Sequence, residues 1–187
     1  MPRTRDVAVL VGSLRRESLT RKAALALAGL APESLKLDIV EIRDLALYDE
    51  DLEGASAPEP WKVFRERIVR ADAVLFATPE YNRSVPAVLK NAIDVGSRPY
   101  GRSVWDAKPA AVFSTSPGAI GGFGANHHLR QSLVFLNMPV LQQPEAYVGH
   151  ALTLFGGEDE GAFDAAKGFL TGFMTAFARW IETVAPR

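Results

Sequence analysis

No cysteine occurs anywhere in the chain. That excludes a disulfide framework, a thiolate zinc site, an iron–sulfur cluster and a cysteine nucleophile together. An excess of charge of one sign is also missing, since 21 basic and 22 acidic residues leave a formal net charge of −1. Electrostatic nucleic-acid binders carry a basic excess, so no nucleic-acid partner is expected. Long hydrophobic runs are absent, and MPRTRD leads directly into a strand pattern, not into a cleavable leader. No membrane association is expected, and the cytoplasm is the expected location. Histidine is scarce. His127 and His128 are neighbours, which on a helix turns them about 100° apart, and His150 stands far from both. No metal site is expected from them, and the acidic run Asp49, Glu50, Asp51 and Glu53 reads as a solvated loop. With 187 residues, 48% of them hydrophobic, and no repeat, the chain reads as one domain over 1–187.

What is present begins with residues 6–22, DVAVLVGSLRRESLTRK. Residues 7–11 are almost wholly apolar, the pattern of a strand buried on both faces of a parallel sheet. Gly12 breaks the run, and a helical pattern resumes near Leu19 with Ala23, Ala24, Leu27 and Leu30. Ser13, Arg15, Arg16, Ser18 and Thr20 crowd hydroxyls and positive charge into the loop between. A helix starting there aims free backbone N–H groups and its positive dipole end at that loop. The arrangement suits an anion, phosphate above all; the plainer alternative is an ordinary strand–helix loop with Ser18 as N-cap.

Further along, residues 36–42 predict a second strand, and 43–60 an irregular loop whose Leu45, Leu47 and Tyr48 need burial. Trp61, Phe64, Ile68 and Ala71 mark a second helix. Residues 73–78 (AVLFAT) predict a third strand, followed by the polar loop 79–83 (PEYNR). Ser84 fits an N-cap with Pro86 in the first turn of a helix striped by Val85, Val88, Leu89, Ala92 and Ile93. After a polar connection over 94–108, residues 110–115 predict a fourth strand, ending in SPGAIGGFG. Leu129, Leu133 and Leu136 mark a fourth helix, Val140 and Leu141 a short fifth strand, and 163–184 a last helix. Alternating strands and helices of this number predict a doubly wound, five-stranded parallel α/β sheet of flavodoxin-like order 2-1-3-4-5.

In that order strands one, three and four are neighbours, so the loops 12–20, 79–84 and 116–124 meet at one edge. Ligands of open α/β sheets bind there. The first loop offers phosphate binding, the second Glu80, Tyr81 and Asn82, and the third Gly118, Gly121, Gly122 and Gly124, which permit close approach of a flat ligand. A phosphorylated planar ring such as FMN suits this set better than a dinucleotide. No strand is followed by G-x-G-x-x-G, and Glu17 stands where a Walker loop needs glycine.

GSLRRESLTRK, LALYDED, PEYNRSVPAVLKNAIDVGSR and SPGAIGG followed by HLRQSLVFLN resemble the NADPH-dependent FMN reductase family, in order and over most of the chain. Its bacterial quinone, chromate and azo reductase branch is the nearest in pattern. The resemblance implies that Ser13, Arg15, Ser18, Leu19 and Thr20 bind the FMN phosphate. Pro79, Glu80, Tyr81 and Asn82 would line the ring and ribityl chain, with Ser116, Gly118, Gly121 and Gly122 on the other edge. The flavin carries the redox chemistry in such enzymes, so no acid–base residue is assigned. The implied activity is hydride transfer from NADPH, or NADH, through FMN to quinone-like, azo, metal-oxyanion or free-flavin acceptors. A homodimer or homotetramer is implied too, with loop 45–51 near the partner's flavin and Tyr48 at the substrate. Arg83, at a position that varies within the family, is a candidate to contact substrate and favour NADPH; the plainer alternative is a solvated arginine at a variable loop position. A flavodoxin-like electron carrier and a non-catalytic flavin- or phosphate-binding module would share the fold, but carriers are typically strongly acidic.

Overall fold

The computed structural model describes residues 3–157 and 160–184. Its strands are β1 (Arg5–Val11), β2 (Leu35–Ile39), β3 (Ala73–Thr78), β4 (Ala110–Thr115) and β5 (Ala146–Val148). All pair in parallel, in the order β2-β1-β3-β4-β5, which is the expected flavodoxin-like topology. β3 and β4 are buried at every position. Side chains alternate faces along a strand, so both faces of these strands must be apolar, and both are covered by helices. Helices α1 (Leu19–Leu30), α5 (Ala151–Phe155) and α6 (Glu160–Val184) pack on one face, where Leu75, Phe113, Phe173 and Phe177 meet. On the other, α2 (Glu59–Arg70), α3 (Ala87–Gly96) and α4 (Phe123–Phe135) enclose Trp61, Phe76, Trp105 and Leu129.

Several expected boundaries are corrected. β2 ends at Ile39; the Val40 N–H makes a last bond to the Val9 carbonyl at 3.0 Å, and Val40 and Ile42 share the core cluster of Trp61, Phe64 and Ile68 of α2. Ser84 is not an N-cap. Pro86 precedes α3 without a side-chain cap, while Ser84 closes a turn onto Tyr81 through two backbone hydrogen bonds of 2.9 and 3.1 Å. The fifth strand is not at 140–141, where Val140 makes only an isolated bridge to Ala110. Pro144, lacking an N–H, cannot carry a ladder onward, and pairing begins at Ala146. α5 is an additional short helix, and α6 starts before residue 163. The connection 94–108 is not wholly polar either: Trp105 is fully buried and donates its indole N–H to the Ile93 carbonyl at 2.9 Å.

Candidate cofactor site

Strands β1, β3 and β4 are adjacent, so the loops at their carboxyl ends share one edge of the sheet. At the first, Ser18 is the N-cap of α1, its Oγ accepting from the Arg21 N–H at 3.1 Å. The backbone N–H groups of Leu19 and Thr20, first in the helix, have no acceptor among the described residues. Such groups carry the positive end of the helix dipole. Ser13, Ser18 and Thr20 are buried beside them, and Arg15 is exposed. Ser18 is therefore a helix cap through its oxygen, and its hydroxyl hydrogen has no acceptor among the described residues. Arg43 braces the loop from outside through a hydrogen bond to the Leu14 carbonyl.

The second loop is a tight hairpin. Asn82 and Arg83 both have positive φ, 51° and 62°, the signature of a type I′ turn between paired Tyr81 and Ser84. Glu80 is turned inward: one carboxylate oxygen accepts from the Ala125 N–H at 3.0 Å, at the start of α4. The other oxygen faces Arg83 at 3.3 Å. Glu80 thereby complements the α4 dipole and ties the second loop to the third.

In the third loop Ser116 donates to the Gly118 carbonyl at 3.0 Å, and the Ser116 carbonyl accepts from the Ala151 N–H at 3.0 Å. The glycines face mainly protein. A Cβ on Gly121 would lie 2.5 Å from the Tyr147 carbonyl carbon, and one on Gly124 would lie 2.8 Å from the Arg83 carbonyl oxygen. Glycine is needed there because backbone meets backbone. Beyond this loop, α4 and β4 share a polar network in which Asn126 donates to Ser114 Oγ at 3.1 Å and accepts from Arg130 Nε at 2.9 Å. Burial lowers the Arg130 pKa from its ordinary value. Burial first, and then Glu145, push the Tyr147 phenol up to about 12, and its hydroxyl lies 3.0 Å from His127 Nε2.

Ser13, Arg15, Ser18, Leu19, Thr20, Pro79, Glu80, Tyr81 and Ser116 line one cleft, as expected from their loops. Asn82 sits at the turn apex outside that lining; Gly121 and Gly122 are outside it too, packed on Tyr147 and Ser114, and Gly118 is exposed. Tyr48 is not in the lining either. Its ring stacks on Trp61 with centroids 5.4 Å apart, and its backbone N–H donates to Asn91 at 2.8 Å. Arg83 stands at the rim through its contact with Glu80. Thr115, Pro117 and Ala151 complete the lining and were not anticipated. Ala151 follows the carboxyl end of β5, so locating that strand at 146–148 would have found it. Asn91, which holds the loop of Tyr48, is marked in the sequence only as a lone amide among the apolar positions of α3. A separate hollow lies between the first half of β1, β2 and α2. It is far from the carboxyl edge, and Arg67 pairs there with Asp38.

A doubly wound parallel sheet of order 2-1-3-4-5, with a cleft at its switch point, defines an α/β protein of flavodoxin-like fold. Residues 5–153 match the NADPH-dependent FMN reductase family, and the chain belongs to it. The chain is 63% identical to a quinone reductase of Pseudomonas putida, over 97% of each. It is 43% identical to a 2-hydroxy-1,4-benzoquinone reductase of a Burkholderia species, over 94% of this chain and 96% of that one. Among solved structures, FerB of Paracoccus denitrificans, a flavoenzyme NAD(P)H:(acceptor) oxidoreductase, superposes with a TM-score of 0.90 at 42% identity. That match covers 97% of this chain and 100% of FerB. The protein is thus an enzyme, an FMN-dependent oxidoreductase that uses a reduced nicotinamide nucleotide. The acceptor-free N–H groups, three buried hydroxyls and one guanidinium fit a terminal phosphate dianion. Among the described residues no helix is long and apolar enough to cross a membrane, and no acidic or histidine cluster is arranged for a metal.

Proposed function

We propose that the enzyme reduces quinones to hydroquinones with electrons from NADPH or NADH, through FMN held in the cleft between the loops after β1, β3 and β4. The observation that carries this is the start of α1, where the N–H groups of Leu19 and Thr20 keep no acceptor beside the Ser18 cap and lie among Ser13, Ser18, Thr20 and Arg15. Those groups hold the phosphate. Pro79, Glu80, Tyr81 and Asn82 border the ring and ribityl chain from one side, and Ser116 with Gly118, Gly121 and Gly122 shape the other. FMN held there would supply the two-electron chemistry that links the nicotinamide to the acceptor. The chain's own residues bind and orient. Tyr81, half exposed on its hairpin, offers an aromatic edge beside the cleft. Because the cleft is open, azo compounds, metal oxyanions and free flavin are further acceptors within this reading. The similarity to relatives named as quinone reductases supports quinones first.

The whole chain acts in this reading as one FMN-binding domain, assembled as a homodimer or homotetramer in the cytoplasm. Tyr48 contributes to substrate binding by setting the loop 45–51 against a partner copy's cleft. The test is direct. Purified protein should carry FMN, seen by its visible absorbance, and oxidise NADPH when benzoquinone is added without oxygen. Arg15→Ala should weaken FMN about tenfold or more, through loss of charge-assisted bonds. A colourless protein that ignores FMN would overturn the reading.

A further inference from the structure

The turn bearing Tyr81 has an unusual occupant. Tyr81 and Ser84 exchange both backbone hydrogen bonds, which holds Asn82 and Arg83 at positive φ. Asparagine adopts that region readily, whereas the arginine Cβ crowds the following carbonyl oxygen there. Glycine is the residue that the second position of a type I′ turn favours. The backbone therefore gives no reason for an arginine at 83.

The side chain gives one. Its guanidinium is mostly exposed, at 74%, and its contact is Glu80 at 3.3 Å. Glu80 is not free to follow it, because its other oxygen caps α4 at Ala125. A Cβ on Gly124 would lie 3.0 Å from that oxygen, so the neighbouring backbone is shaped to keep the carboxylate in place. Arg83 is thus a cation tethered at the rim of the cleft, on the loop that also bears Tyr81. The cleft's other arginine, Arg15, is engaged by the FMN phosphate if the function proposed above holds.

We propose that Arg83 binds the 2′-phosphate of NADPH, with Glu80 holding the guanidinium at the rim until the nucleotide arrives; this rests on the FMN site proposed above. The pair is exposed on its arginine side only, with Glu80 12% exposed and a single contact of 3.3 Å, whereas a phosphate dianion offers the planar fork two oxygens and more charge. Exchange from Glu80 to phosphate is therefore favourable. NADH has a hydroxyl in that place and makes no such exchange.

The experiment follows reduction of the FMN-loaded enzyme by NADPH or NADH without oxygen and without an acceptor, so that an anionic acceptor cannot mimic the effect. Arg83→Gly keeps the turn and removes the guanidinium. It should raise the half-saturating NADPH concentration about tenfold or more, while that for NADH stays within about twofold. Glu80→Gln keeps an amide oxygen for the Ala125 N–H but releases the charge holding Arg83, and should lower the NADPH value about twofold. Equal shifts for both nucleotides in Arg83→Gly, or no shift for NADPH, with FMN still bound, overturn the Arg83 assignment alone. Failure of the unaltered protein to bind FMN, or to be reduced by either nucleotide, overturns the function proposed above and this assignment with it.

Discussion

Asn91 is buried in α3 and spends its whole amide on the loop that precedes α2. It donates to the carbonyls of Leu45 and Ala46 at 3.1 and 3.0 Å and accepts from the Tyr48 N–H at 2.8 Å. Trp61 adds a bond to the Ala46 carbonyl at 3.1 Å. One side chain therefore supplies the backbone partners that an irregular segment cannot find in a ladder. Replacing it by alanine strands one N–H and weakens the hold on two carbonyls, so Asn91→Ala should lose about 2–4 kcal/mol of stability. Urea unfolding should show this as a lower midpoint at unchanged slope. A loss below about 0.5 kcal/mol would mean that water takes over all three bonds.

At the scale of the element, α1 does two things with one terminus. Its N-cap serine satisfies the Arg21 N–H, while the two preceding N–H groups stay available to a ligand. Glycine is a good cap and alanine a poor one, which lets the two roles be separated. Ser18→Ala should cost about 1 kcal/mol of stability and also weaken FMN binding. Ser18→Gly should cost only a few tenths in stability yet weaken FMN to a similar degree, since both lack the hydroxyl. Melting curves of the FMN-free protein and FMN titrations measure the two effects independently. If Ser18→Gly binds FMN like the unaltered protein, the serine is a cap and nothing more.

For the whole molecule, exposed apolar groups lie beside rigid supports. Leu47 is 77% exposed although its loop is clamped by Asn91 and Trp61, and Val134 and Phe135 stand out at the end of α4. Apolar surface held outward in this way suits a second copy. Sedimentation at micromolar concentration should therefore give a homodimer or homotetramer, and Leu47→Glu should shift it toward the monomer. A fully active 20.3 kDa species would rule this assembly out. The sequence by itself determined the layers of the fold, because runs such as 73–78 and 110–115 can be buried only between two helical faces. It also determined that hydroxyls and the N-cap gather at the start of α1, since these residues are neighbours in the chain. Only the tertiary structure decided the remainder, and the reason is distance along the chain. Glu80 meets Ala125, Asn91 meets Leu45, and Ala151 joins Ser116 through contacts spanning tens of residues. Local pattern, which reports a residue's own face and turn, carries no information on which far segment will stand opposite it.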